Sequence, residues 1–159
     1  MKILREIPPP QPKNEFVALD IELFGLNEKQ LHRPTSGKFA CLSVAVDPET
    51  VYVITDQLQL PVVFSSLRDA VHVYHHAKFD ITHLRRWVNI EPRKRLWDTM
   101  LIERIMYGGY FDFFALEQLA RRWLNKKMDK SLQKSFQDAT ELSEEQIEYS
   151  AIDAVTTLQ

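Results

Sequence analysis

The sequence predicts an α/β domain built on a mixed β-sheet, three antiparallel strands followed by parallel ones, with helices on both faces. Three observations predict it. Residues 16–23 (FVALDIEL) are apolar on both sides of a strand, as in the middle of a sheet covered twice. Two more strand-like runs follow, joined by Asp47-Pro48-Glu49-Thr50, a hairpin signal. Beyond them apolar spacing alternates between strand and helix periods, which suggests helices laid on the faces of the sheet.

In chain order, residues 1–14 contain IPPPQP and read as a stiff, extended lead-in or linker without periodicity. Residues 15–159 make one domain, a length that supports a substantial core. After the central strand, residues 25–37 are polar and loop-like, with Pro34 and Gly37 as punctuation. Strands follow at 38–46 (KFACLSVAV) and 51–55 (VYVIT), and Pro61 opens a short helix over 61–70. Residues 71–75 form another strand, running into helical spacing over 79–87. A short strand at 96–99 leads to a helix over 100–107 that Gly108-Gly109 stops. An amphipathic helix over 113–124 turns Leu116, Leu119, Ala120 and Trp123 inward. The last helix starts at Ser143, with Gln146 three residues on as a capping box, and reaches the end without a stop signal. That uncapped end and the proline-rich start fit a domain excised from a longer chain.

Composition narrows the chemistry. At 45% apolar and 26% charged, the chain is an ordinary globular sequence. It carries no apolar run of spanning length and no signal-peptide pattern, and its single cysteine, Cys41, reads as core. Both fit an intracellular, cytoplasmic setting. The net charge of −2 does not describe a polycation, but two basic groups stand out. One is Arg85, Arg86, Arg93, Lys94 and Arg95; the other is Arg121, Arg122, Lys126, Lys127, Lys130 and Lys134. They are either solvated faces or phosphate-contacting rims around an acidic site. With four glycines there is no phosphate-binding loop, dinucleotide fingerprint or nucleophile elbow, so hydride transfer and acyl-enzyme chemistry have no support.

The acidic residues are the remaining signal. Asp20 and Glu22 share one face of the central strand, where two ionised carboxylates repel unless a cation sits between them. A solvated strand end is the plain alternative. Asp80 stands at the start of a helix, where it could simply be a cap. Tyr149 and Asp153 lie one turn apart on the last helix, opposite its apolar stripe of Ile147, Ala151, Ala154, Val155 and Leu158. That placement means open solvent or a polar cleft. His76, Asp80 and His83 have a spacing that could hold zinc, although a carboxylate-rich site favours hard, oxygen-seeking cations.

Taken together, Asp20-x-Glu22, His76-x-x-x-Asp80 and Tyr149-x-x-x-Asp153 resemble the three motifs of the DEDD superfamily of 3′→5′ exonucleases, in its tyrosine-bearing branch. That branch includes the proofreading domains of family A DNA polymerases and ribonuclease D. The connecting segments HHAKFD, LWDTMLIERI, ALEQLARRWL, DKSLQ and LSEEQIEYSAIDA agree with the likeness, which covers nearly the whole of residues 16–158. The resemblance implies a ribonuclease H-like fold and a metal-dependent 3′→5′ exonuclease. Asp20, Glu22, Asp80 and Asp153 would hold two divalent cations, Mg²⁺ or Mn²⁺, and Tyr149 would orient the attacking water. Leu23, Phe24, His76 and Lys78 are the expected substrate contacts. The expected substrate is a single-stranded or frayed 3′ end, of DNA first and RNA second, with a polymerase domain in cis or trans as a further partner. A catalytically silent binding module of the same fold is the alternative from another class. Relatives commonly carry Asn where this chain has His76, and Thr or Ser where it has Leu23.

Overall fold

The computed structural model describes residues 1–11, 15–26, 29–30, 33–90 and 95–159. Arg93 and Lys94, residues 12–14 of the expected lead-in, and residues 27, 28, 31 and 32 of the expected loop lie outside the described residues. The strands are β1 (Lys2–Leu4), β2 (Phe16–Phe24), β3 (Lys38–Asp47), β4 (Thr50–Ile54), β5 (Val71–Tyr74) and β6 (Leu96–Asp98). The helices are α1 (Leu60–Ser66), α2 (Ala77–Leu84), α3 (Thr99–Tyr107), α4 (Leu116–Trp123), α5 (Ser135–Asp138) and α6 (Glu144–Leu158), and a 3₁₀ turn precedes α1.

One six-stranded sheet runs in the order β1-β4-β3-β2-β5-β6. β2, β3 and β4 are antiparallel neighbours, whereas β5 lies parallel to β2 and β6 parallel to β5. The expected mixed sheet is therefore present. Residues 2–4 depart from the lead-in reading, because they add an edge strand parallel to β4. A short strand on an edge needs only one partner, and three residues give no period from which to read it. Residues 135–138 form a one-turn helix that the sequence did not signal, with Phe136 turned into the interior.

β2 is covered on both sides, and its alternation decides what each side meets. Val17, Leu19, Ile21 and Leu23 face α1 and α2, in a core with Leu60, Val63, Leu67, Leu84 and Val88. Ala18 faces α6 and packs near Ile147, Ala151, Ala154 and Val155. Asp20 and Glu22 share the Ala18 side of the strand, so they point toward α6. α4 is shorter than the amphipathic pattern suggested. Residues 113–115 stay out of the helix, and Trp123 is 54% exposed while its indole N–H donates to Glu103 at 2.7 Å. A tryptophan with one polar partner can stand half in solvent at a helix end.

The candidate active-site cleft

The site sits where the sheet splits. β2 pairs with β5 only through residues 16–18, so the later residues of β2 have no strand on that side. Ligand crevices in open α/β sheets form outside such carboxyl ends. The unpaired N–H of Ile21 finds a side chain instead: Asp80, one turn into α2, accepts it at 3.1 Å through Oδ1. Buried backbone donors are satisfied somewhere, and here the satisfying group is a carboxylate. α2 thus delivers Asp80 from one face of the sheet while α6 delivers Tyr149 and Asp153 from the other.

Asp20, Glu22 and Asp153 each place one carboxylate oxygen within 4.8 Å of the others. Asp80 stands beside this trio, held by Ile21. Asp20 Oδ2 and Asp153 Oδ1 are buried and have no hydrogen-bond partner. Orphaned carboxylate oxygens aimed into a shared space fit a hard divalent cation, which supplies the positive charge they lack. His76 and His83 do not join Asp80 in any metal-holding group among the described residues.

The protonation states carry the same message. Burial first, and Asp153 second, raise the Asp20 carboxyl from 3.8 to about 7, against the pull of Lys130. Glu22 is held well above its ordinary range by burial and then by Asp20 and Asp153. Asp80 is likewise raised, by burial and then Asp20, although the Ile21 N–H pulls the other way. Asp153 is raised by burial, with Lys130 opposing. Crowded acids of this kind resist ionisation until cations arrive. Tyr149 is pushed above the usual phenol range by burial and Asp153, so it stays protonated.

Lys130 is the residue whose role the sequence concealed. Grouped there with other cations as a solvated face or a phosphate-contacting rim, it places Nζ 2.6 Å from Asp153 Oδ2 and 3.1 Å from the Tyr149 hydroxyl, donating to both. Its segment, DKSLQ, is mostly loop, and no period shows where a loop lysine points.

The cleft has a volume of about 570 Å³. Besides the acids and Tyr149, Leu23, Leu26, Phe79, Met100, Leu116 and Phe136 give it an apolar wall, and His75, His76, Lys130, Gln133 and Lys134 a polar one. Of the expected substrate contacts, Leu23 and His76 line it. Phe24 is buried instead against Phe136 and Tyr149, with ring centroids 6.4 Å apart for the Phe pair. Lys78 is exposed on α2 and is not among the lining residues. Neither Arg85, Arg86 nor Arg95 lines the cleft; Arg86 and Arg95 donate to the backbone carbonyls of Ser36, Gly37 and Asp69. His75, unremarked in the sequence, donates to or accepts from Thr99 Oγ1 at 2.9 Å, and burial lowers its pKa to about 4. It is a neutral wall of the cleft near pH 7.

Asp98 holds the start of α2, the helix that carries Asp80. Its Oδ1 accepts from the backbone N–H groups of His76 (3.2 Å) and Leu101 (3.1 Å), and its Oδ2 from that of Ala77 (2.9 Å). The same residue is the N-cap of α3, a role that Asp-Thr after a strand could have signalled. His76 enters α2 in the left-handed region, φ 73° and ψ 51°. Asn is well suited to that conformation, which gives a backbone reason for the Asn that the motif resemblance implies there.

Comparison with known proteins places this geometry. The structure is similar to Brucella melitensis NrnC with bound Mg²⁺, with a TM-score of 0.77 and 22% identity over 99% of this chain and 77% of that one. It is also similar to the Aedes aegypti Nibbler EXO domain, with a TM-score of 0.70 and 22% identity over 91% of this chain and 75% of that one. Escherichia coli RNase D, an exoribonuclease involved in structured RNA processing, aligns with a TM-score of 0.67 and 19% identity over 91% of this chain and 37% of that one. At these identities the likeness establishes the fold. No curated protein sequence matches the chain significantly. Among the described residues no helix is long and apolar enough to cross a membrane. The family model for the 3′-5′ exonuclease domain of the DNA polymerase A type, however, matches residues 11–159, nearly the full length, and the chain belongs to that 3′-5′ exonuclease family.

Proposed function

We propose that this cleft removes 5′-mononucleotides one at a time from single-stranded or frayed 3′ ends, with DNA as the preferred substrate. The observation that carries the reading is the meeting of Asp20, Glu22 and Asp153 within 4.8 Å, with Asp80 and Tyr149 alongside. Asp20, Glu22, Asp80 and Asp153 would hold two divalent cations, Mg²⁺ or Mn²⁺. Bound there, the ions would supply electrostatic stabilisation of the phosphate and a more acidic water.

The chain's own residues do the rest. Tyr149, a neutral phenol, orients the attacking water by hydrogen bonding and does not deprotonate it. Lys130 donates to the oxygen of the Tyr149 hydroxyl while Asp153 lies beside its hydrogen, so the phenol is held in place between the two. Leu23, Phe79, Met100 and Leu116 give the terminal nucleoside an apolar seat, and a paired end would not fit a 570 Å³ cleft until it frays. Hydrolysis breaks the bond between phosphorus and the 3′ oxygen of the remaining strand, and the water's oxygen leaves on the released 5′-phosphate. Proofreading beside a polymerase domain, joined or separate, is the setting this reading implies.

RNA trimming is a second reading, favoured by the likeness to NrnC bound to pGG and to RNase D. Incubating 5′-labelled DNA and RNA strands of one sequence with Mg²⁺ or Mn²⁺ tests both, with Asp20→Ala as control. The expected result is a ladder shortening from the 3′ end, faster for DNA and absent in the variant. Faster RNA shortening would support the second reading; no ladder from the parent protein would overturn both.

A further inference from the structure

We infer that the loop of residues 108–114, together with Trp123, is a stacking track that carries the strand upstream of the nucleotide in the cleft. The ligand is single-stranded nucleic acid, and in naming it the inference rests on the nuclease reading above.

The loop runs into Ala115, Leu116 and Glu117, which line the cleft, so a strand leaving the cleft on this side meets it next. Of its four aromatic rings, Tyr110 and Phe113 are turned outward, whereas Phe114 is buried. Tyr110 is 86% exposed, Phe113 72% and Trp123 54%. Scattered apolar side chains are common on surfaces, but here three large exposed aromatics fall on one loop and the helix that follows it.

The loop is also anchored. Arg122 donates to the carbonyl of Phe113 at 2.7 Å and stacks 4.0 Å from the Phe111 ring centroid. Arg104 and Arg122 both lie 5.6 Å from the Phe114 ring. Tyr107 packs between Phe111 and Trp123, with centroids 5.9 and 5.3 Å away. Gly109, at φ +98°, makes the turn that a side chain would strain. The buried Phe114 ring and the Arg122 bond to the Phe113 carbonyl thus hold the backbone of the loop, which lowers the ordering left to a ligand.

Charge selects the occupant. Arg104, 5.6 Å from the Phe114 ring, and Arg121 on α4 are exposed, Lys126 and Lys127 follow α4, and Asp112 is the loop's one carboxylate. Aromatic faces among cations suit bases stacked along a phosphate backbone, and such binding tolerates any base. A second copy of this chain would bring the same cations against these, which disfavours a self-paired interface.

The test compares a 12-nucleotide fluorescein-labelled strand with a dinucleotide, measuring binding by anisotropy and by competition in Ca²⁺. Tyr110→Ala and Phe113→Ala should each weaken binding of the long strand by about 5- to 150-fold, the range for loss of one base–aromatic stack. Dinucleotide binding should change less than twofold, and Tyr110→Trp should restore the long strand. Unchanged long-strand binding in both alanine variants overturns the inference while leaving the exonuclease reading intact. Long-strand binding that depends on these rings in a protein that cuts nothing keeps the inference and removes the catalytic reading. Equal weakening of both ligands would mean a disturbed cleft and overturns it. So would a parent dimer, seen by sedimentation, that the variants dissociate without loss of strand binding.

Discussion

Replacing Asp20 by Asn should stabilise the metal-free protein near pH 8 while abolishing cleavage. The cause is the crowding of buried acids at the end of β2. A carboxyl whose pKa is about 7 in the fold and 3.8 outside it favours folding most fully below pH 3.8. That contribution is lost as pH rises, and the loss is complete above about 7. At about 1.4 kcal/mol per pH unit the gap corresponds to about 4 kcal/mol as an upper figure. Asn carries no charge and escapes the penalty, so a gain of about 2–4 kcal/mol is expected, or roughly 5–10 °C in Tm for a chain of this size. Thermal melts of both proteins in EDTA at pH 5 and pH 8 measure it. The variant's advantage should be large at pH 8 and much smaller at pH 5, and Mg²⁺ should raise the parent's Tm and not the variant's. An Asn variant no more stable at pH 8, or equally stabilised at both pH values, would refute the account of the site as a set of carboxylates awaiting cations.

Other substitutions probe the neighbours. Tyr149→Phe should keep the fold and lower kcat by about 10²-fold with little change in KM, as expected for loss of a positioned hydroxyl, measured on a short DNA strand. Lys130→Met should destabilise the metal-free protein by about 1–3 kcal/mol, because the buried Asp153 then loses its cation partner, and saturating Mg²⁺ should recover most of the loss in a thermal melt. His76→Asn should leave stability within about 0.5 kcal/mol, whereas His76→Val should cost about 1–2 kcal/mol by forcing a branched side chain into the left-handed region; urea unfolding separates the two.

Much of the frame was legible because it rests on period. Alternation along residues 16–23 placed Asp20 and Glu22 on one side and the leucines on the other, and the capping box at Ser143 set the phase of the helix bearing Tyr149 and Asp153. What escaped has no period to read. Lys130 reaches the acids from a loop, and Phe24 folds back onto Phe136, which belongs to a helix of one turn. The edge strand at residues 2–4 is set by pairing with β4 and not by its own composition. Trp123 follows the helical stripe in sequence, yet its place at the end of α4 leaves it half in solvent.

The three amides held by Asp98 lie at the starts of two helices, one of which carries a metal-binding candidate and the other leads to the aromatic loop. A single side chain thereby acts as a latch on both. Were it to release, α2 and α3 would fray in concert, and deuterium uptake at Ala77 and Leu101 would rise in step. The place of Asp80 therefore depends on a residue that is not part of the cleft lining.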